Sequence, residues 1–327
     1  PSRAMRSPPR RSPPPDPIRW SGVPDPQSIR SGRFRDVHVT ISRILRIRTA
    51  LACSLAPVMS VLDQIVKAYD IRGTVPDQLN AEVAHALGVG FAKFVPSDRV
   101  VVARDMRPSG PELVDAFTSA LRSHGVGVVD IGLASTDLMY FASGTLDLPG
   151  AMFTASHNPA GYNGVKMCLA GARPVGVDTG LGEIRAMAQS VLDGTGPAAN
   201  GARGSFEERV MLDAFADHAL SFVDLSSIGE LRVVADTANG MGGLVVPAVL
   251  ERIPGVELEV LFGELDGTFP NHPADPLQPA NQVDLQARVV SGGFDIGLAF
   301  DGDADRVFVV DESGEGLSGS TTTALLA

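Results

Sequence analysis

Residues 154–166 read Thr-Ala-Ser-His-Asn-Pro-Ala-Gly-Tyr-Asn-Gly-Val-Lys, set between an apolar run at 151–153 and another that starts at Val165. Inside the stretch stand Asn158-Pro159, Ala160-Gly161 and Asn163-Gly164. Such pairs reverse a chain, because Pro presets one dihedral while Gly and Asn accept a positive one. The stretch therefore predicts strand, tight loop, strand, with Ser156 at the entry and Lys166 at the exit. A loop of this build can hold a hydroxyl in the open, with backbone N–H groups and an ammonium aimed at whatever the hydroxyl carries.

The chain around it alternates strand and helix patterns. A first strand is expected over residues 64–70, then a helix over 80–94 with Asn80 as N-cap. A buried strand follows at 99–104, and a helix at 109–123 with Pro111 in its first turn. Next come a strand at 126–131, a short helix at 135–143, the serine loop, and a helix at 181–192. This is the pattern of a doubly wound α/β domain. Residues 193–205, rich in Gly, Ala and Pro, read as a linker. A long amphipathic helix at 206–223 then leads into a second α/β unit. Its strands are expected at 231–236, 257–262 and 295–300, with helices from about 243 and over 282–290. After Arg306 a strand at 307–310, a turn at 311–314 and a helix start at 320–327 are expected. The fold class is thus α/β, two successive doubly wound domains at 59–197 and 198–312, with the start of a third at 313–327.

Asp301-Gly302-Asp303-Ala304-Asp305-Arg306 follows the last strand of the second unit. Alternation along an extended or gently curled loop puts the three carboxylates on one side. Crowded like charges repel unless a cation joins them, so the run reads as a metal loop. Asp301, Asp303, Asp305 and Glu312 also occupy positions 1, 3, 5 and 12 of an EF-hand. That reading fails because position 6, which needs Gly for its turn, is Arg306, and because both flanks read as strands. A chain delivering such a loop from a strand end fits the rule that α/β sheets bind ligands beyond the carboxyl ends of their strands.

Charge is unevenly spread. Residues 1–58 hold eleven Arg, no Lys and three Asp, a balance of +8, so the remainder carries about −19 against a total of −11. An acidic body attracts an anion only through a local cationic cluster. From Met59 on there are three lysines, Lys67, Lys93 and Lys166, and one of them closes the serine loop. The Arg- and Pro-rich first 58 residues cannot bury a core and are expected to be disordered. Met59 reads as the start of the protein proper. The basic stretch before Ala50-Leu51-Ala52-Cys53 makes a poor lipoprotein signal, being interrupted by Pro57 and lying too far in. No apolar run approaches the roughly 18 residues of a membrane span, and Cys53 and Cys168 make no disulfide framework. No membrane or nucleic-acid partner is expected, and the compartment is taken as cytoplasmic.

Other chemistries fit the sequence less well. A serine hydrolase elbow places its nucleophile in Gly-x-Ser-x-Gly, whereas Ser156 is flanked by Thr154 and Asn158. His157 adjoins Ser156, but neighbours in an extended segment point opposite ways, which disfavours a serine–histidine base pair. Asn239-Gly240-Met241-Gly242-Gly243 lacks the third glycine of a dinucleotide fingerprint and reads as a strand-to-helix turn. His85, His124 and His218 fall in helical stretches, and His272 is given no catalytic role.

The serine loop closely resembles the active-site loop of the alpha-D-phosphohexomutases, in the phosphomannomutase/phosphoglucomutase branch. The metal loop and the motif Lys67-Ala68-Tyr69-Asp70-Ile71-Arg72-Gly73 resemble two further signatures of that family, in the same order. The resemblance covers residues 59–327. It implies that Ser156 carries a phosphate, gives it to a hexose phosphate and takes back the other phosphate of the bisphosphate so formed. It implies Mg²⁺ held by Asp301, Asp303, Asp305 and an oxygen of phosphorylated Ser156. By the same resemblance Lys166, His157 and Arg72 join Ser156 as catalytic residues, with Tyr69, Arg72, Arg104, Lys166 and Arg306 contacting substrate or phosphate. The resemblance also implies that Arg104 and Arg107, in 103–109, help support the site, although Arg107 reads equally well as a surface ion pair. The implied partners are mannose or glucose 1- or 6-phosphate and the hexose 1,6-bisphosphate. Family members have two further domains, a sugar-recognising loop and a phosphate clamp, which residues 1–327 do not show. The chain is therefore expected to be an N-terminal fragment, inactive by itself. Phosphoglucosamine mutase, or a non-catalytic remnant that binds Mg²⁺ or a phosphosugar, are the alternatives.

Overall fold

The structure is a computed structural model that describes residues 59–199 and 201–326. The expectation for residues 1–58 lies outside the described residues. Helix α1 (Val61–Ile65) comes first, closed by a reciprocal box in which Ser60 Oγ accepts from Asp63 N–H and the Asp63 carboxylate accepts from Ser60 N–H. The strand expected at 64–70 is not there. The Ser-x-x-Asp box nucleates a helical turn instead, and the strand β1 (Ile71–Thr74) starts only at Ile71.

Six more strands complete the first sheet: β2 (Arg99–Arg104), β3 (Gly127–Leu133), β4 (Gly150–Phe153), β5 (Tyr162–Leu169), β6 (Arg173–Pro174) and β7 (Phe206–Glu208). Their order is β1-β5-β4-β2-β3-β7, with β6 on β5. β2 pairs in parallel with β3 and β4, and β3 with β7, while β5 runs antiparallel to β1 and β4. The serine loop is thus the connection of an antiparallel pair, as its turn residues predict. Gly164 lies where β5 crosses β1, and a Cβ there would meet the Ile71 carbonyl at 2.1 Å.

Helices α2 (Ala81–Phe94), α3 (Gly110–Ser123), α4 (Thr136–Leu146) and α5 (Leu181–Leu192) cover this sheet. Asn80 caps α2 by accepting from Val83 N–H at 3.0 Å, and Ser135 caps α4 by accepting from Leu138 N–H at 3.1 Å. α2, α3 and α5 bury one face around Phe91, Phe117, Phe153 and Ile184. α4 buries the other around Met139, Met152 and Cys168. A sheet sandwiched in this way reads as continuous apolar strands, which is why Val100, Val101 and Val102 of β2 are all fully buried.

The long helix expected at 206–223 is shortened to α6 (Leu212–Leu220). Residues 206–208 instead pair with Val128, Val129 and Asp130 at the edge of the first sheet. Ladder bonds to an open edge outweigh a helical pattern there. α6 packs Leu212 and Phe215 both against the α4 side of the first sheet and into the core of the second.

The second sheet holds β8 (Leu231–Asp236), β9 (Val256–Leu261), β10 (Ile296–Phe300) and β11 (Val307–Asp311) in the order β11-β10-β8-β9. β8 is parallel to β9 and β10, and β11 returns antiparallel. α7 (Gly242–Leu250) covers one face and α8 (Val283–Gly292) the other; α9 (Gly319–Leu326) follows. Among the described residues no helix is long and apolar enough to cross a membrane. The loop between β9 and α8 is tied to the end of β8 by His272, whose Nε2 lies 3.0 Å from Oδ2 of buried Asp236.

That bond raises the His272 pKa above the usual histidine value, against the effect of burial. A group raised on folding stabilises fully below its unfolded pKa and loses that contribution as pH rises through the folded one. Replacing His272 by Gln should cost about 1–3 kcal/mol near pH 6 and clearly less near pH 9, read from urea unfolding. An equal cost at both pH values would contradict a charged histidine.

Candidate active site

β4 delivers the chain to Thr154, Ala155 and Ser156 at its carboxyl end. Ser156 has a φ of 51°, in the left-handed region that residues with a Cβ enter at a cost. Two bonds hold it there. Its N–H donates to Thr154 Oγ1 at 2.9 Å, and its carbonyl accepts from Arg107 Nη2 at 2.8 Å.

Arg107 is fully buried and spends both of its terminal nitrogens on this loop. Nη2 also donates to Asn158 O at 2.7 Å, and Nη1 donates to Pro159 O at 2.8 Å and Tyr162 O at 2.9 Å. Nε donates to Asp105 Oδ2 at 3.2 Å. A planar fork with five N–H donors suits that task, and no other side chain has one. Of the two readings that the sequence left open for Arg107, the surface ion pair falls, and the side chain is a buried clamp on the loop. Burial raises the Asp105 carboxyl above its ordinary value although Arg107 opposes the rise.

The acidic loop comes off β10 curled into a tight turn, not extended. Ala304 has a φ of 56°, and its N–H donates to Asp301 O at 3.1 Å. Gly302 lets this turn sit on the serine loop, since a Cβ there would lie 2.5 Å from Ser156 O. One oxygen from each of Asp301, Asp303 and Asp305 lies within 4.8 Å of the others. Asp301 Oδ2 accepts from Ser156 Oγ at 2.6 Å, from Arg306 Nε at 3.0 Å and from Arg306 Nη2 at 2.5 Å. Arg306 Nη2 also meets Ser156 Oγ, and donates to His157 Nδ1 at 2.5 Å. Asp303 Oδ2 accepts from Thr136 Oγ1 at 2.6 Å and from Lys166 Nζ at 2.7 Å, and Asp305 Oδ2 from Lys166 Nζ at 2.6 Å.

The charges answer one another. Burial, then the neighbouring Asp303 and Asp305, push the Asp301 carboxyl up to about 7. Burial would raise Asp303 too, but the Lys166 ammonium overrides it and holds Asp303 below the ordinary range. Burial would lower Lys166, and the same two carboxylates hold it above the ordinary lysine value. His157 is lowered by burial and by the Arg306 guanidinium, which keeps its imidazole neutral near pH 7. Oδ1 of Asp303 is buried and has no hydrogen-bond partner among the described residues. An unmet carboxylate oxygen in a dry place costs about 1–3 kcal/mol or more. Three convergent carboxylates with such an oxygen among them fit a hard divalent cation.

Of the residues expected at the site, Ser156, His157, Lys166, Arg306, Asp301, Asp303 and Asp305 meet in one place. Arg72 stands at the loop's flank, its Nη1 donating to Asn158 Oδ1 at 2.6 Å and its Nε paired with Asp70 at 2.6 Å. Tyr69 lies over Gly176 and is 78% exposed, and Arg104 donates to the Asp105 carbonyl at 3.2 Å. Two local expectations are corrected. The serine hydroxyl is buried under Arg306 and Asp301 rather than held in the open. His157 does not point away, because the left-handed Ser156 bends the segment and brings Nδ1 to 3.4 Å from Oγ. Sequence reasoning missed Thr136, Thr154 and Asp105. The only signal was their place just beyond strand ends, after β3, β4 and β2.

Arg107→Lys should leave at least two buried carbonyls without a donor and cost about 3–5 kcal/mol in urea unfolding. A change under about 1 kcal/mol, the scale of an exposed ion pair, would contradict the clamp.

Comparison with known proteins agrees with this geometry. Residues 63–191 match the family model "Phosphoglucomutase/phosphomannomutase, alpha/beta/alpha domain I" and residues 213–314 match its domain II. The chain is 37% identical over 267 residues to a phosphomannomutase of Salmonella montevideo, across 80% of this chain and 58% of that one. It is 40% identical over 266 residues to a phosphomannomutase/phosphoglucomutase of Pseudomonas syringae, across 80% of this chain and 54% of that one. A crystal structure of a phosphoglucomutase/phosphomannomutase family protein from Burkholderia thailandensis superposes with a TM-score of 0.69 at 36% identity, across 79% of this chain and 56% of that one. The chain spans less than two thirds of the length of these relatives. With both α/β/α domain models matched in order and the serine and acidic loops facing each other, the chain belongs to the alpha-D-phosphohexomutases, in the phosphomannomutase/phosphoglucomutase branch.

Proposed function

We propose that this chain carries the phosphoryl-transfer centre of a phosphomannomutase/phosphoglucomutase, an isomerase that moves phosphate reversibly between C1 and C6 of a hexose phosphate through a phosphoserine and a hexose 1,6-bisphosphate. The observation that carries the reading is the meeting of Ser156 Oγ with Asp301 at 2.6 Å, flanked by Arg306, with Lys166 paired to the next aspartate of the loop, Asp303. In the accepting step the Ser156 oxygen exchanges its proton for a bond to phosphorus as the bond from phosphorus to the sugar oxygen breaks, and the proton that Ser156 gives up is matched by one taken on by that sugar oxygen, which leaves as the hydroxyl. Lys166 is a cation throughout the neutral range, so it serves as a charge on the phosphoryl oxygens and as a donor to the departing oxygen, not as a base. Arg306, bonded to both Ser156 and Asp301, supplies the second positive charge. His157 is held neutral and accepts from Arg306, which fixes that guanidinium over the hydroxyl. Positioning and charge of this kind are most of what phosphoryl transfer asks of a protein.

Asp301, Asp303 and Asp305 would hold Mg²⁺, with an oxygen of phosphorylated Ser156 added, and when bound the ion would polarise the phosphoryl group as a Lewis acid. A cleft of about 500 Å³ bordered by Lys67, Arg72, Asn158 and Tyr162 adjoins the serine loop, and Arg72 is assigned to substrate phosphate there. Tyr69 and Arg104, which hydrogen-bond to neither Ser156 nor the acidic loop, are assigned to the outer part of the same substrate surface.

Incubating the chain with Mg²⁺ and a hexose 1,6-bisphosphate should place one phosphoryl group on the tryptic peptide that contains Ser156, and none on that peptide in Ser156→Ala. Phosphate on Thr154 or Ser135, with Ser156 always bare, would overturn the assignment.

A further inference from the structure

We infer that Thr136 is a positioning residue for the acidic loop: its hydroxyl selects which oxygen of Asp303 faces the centre of the cluster. The inference rests on the cation reading given above. Thr136 is the first residue of α4, in the half of the fold that carries Ser156, and is 1% exposed. It makes two bonds to one residue of the other half. Its N–H donates to the Asp303 carbonyl at 3.1 Å, and its Oγ1 donates to Asp303 Oδ2 at 2.6 Å.

The hydroxyl has little freedom. Lys166 Nζ approaches Thr136 Oγ1 at 3.5 Å as a donor, so the hydroxyl accepts on that side and its proton goes to Asp303. Asp303 Oδ2 is thereby bonded twice, by Thr136 and by Lys166, while Oδ1 has no partner and is buried. A carboxylate with one oxygen held by two donors cannot turn its free oxygen away without breaking both. The backbone bond fixes the loop's position, and the hydroxyl fixes the carboxylate's rotation about its own axis. Partners of this type, one step removed from the ion, typically set affinity by about ten- to a hundredfold.

The test uses the whole chain, Mn²⁺ as the probe ion and electron paramagnetic resonance to count free ion, with three variants. Thr136→Val keeps the side-chain shape without the hydroxyl, and should weaken Mn²⁺ binding about ten- to a hundredfold. Thr136→Ser restores the hydroxyl, and should bind within about threefold of the parent. Asp301→Asn should weaken binding in any case. Circular dichroism and thermal melts establish that each variant is folded. Thr136→Val binding like the parent, while Asp301→Asn binds poorly, would overturn the role of Thr136 and leave the cation reading standing. Equal loss in Thr136→Val and Thr136→Ser would overturn it as well, since the hydroxyl would then not be the agent. A parent chain that takes up no Mn²⁺ would overturn the cation reading and this inference together.

Discussion

Three carboxylates gathered in a nearly dry turn set the terms for everything around them. Their oxygens lie within 4.8 Å of one another, and Asp301 and Asp303 are fully buried. Like charges at that spacing repel strongly where water is scarce, so each needs a proton, a cation or a donor. The fold supplies one answer per carboxylate. Asp301 is raised to about 7 and bonded by Ser156 and Arg306, Asp303 is bonded by Lys166 and Thr136, and Asp305 shares Lys166. Lys166 comes from β5 and Thr136 from α4, both in the first half, whereas the aspartates follow the third strand of the second. The bonds at this turn therefore also tie the two halves together, beside the apolar contacts of α6.

The serine loop is held by a different device. Backbone carbonyls of four loop residues converge on one buried guanidinium, and the loop's left-handed residue is the one that bears the hydroxyl. On the proposed function, such a clamped loop would keep the reacting oxygen in line while charge moves. Gly302 completes the fit by letting the acidic turn approach where a side chain would collide with Ser156 O. On the proposed reading, affinity and alignment thus come from separate parts: Arg107 and Gly302 fix where the oxygen is, and the acidic turn with Lys166 and Arg306 fixes the field it works in.

Much of this could be read from the chain. Strand and helix positions followed from apolar period and caps, and the helix 181–192 and strand 99–104 fall where the pattern puts them. That Ser156, Lys166 and the three aspartates lie in or beside loops at strand ends is local information, whereas their meeting in one neighbourhood was implied by the family resemblance alone. What escaped was set by contacts between distant residues. β7 forms because β3 has an open edge, which no window of 206–223 contains. Arg107 looks like any exposed arginine until the loop at 156–162 folds over it, and Thr136 meets Asp303 across 167 residues of sequence. The rotation of His157 toward Oγ depends on a single positive φ at Ser156, which the residue type does not advertise.

The central claim is that the acidic turn is a cation site built against the serine hydroxyl. Crystals of the chain soaked in Mn²⁺ test it most directly, through an anomalous difference map at the manganese edge. The account predicts one strong peak among Asp301, Asp303 and Asp305, adjoining Ser156 Oγ and the free oxygen of Asp303. A map with no peak there, or with manganese only on exposed acids elsewhere on the surface, would contradict it.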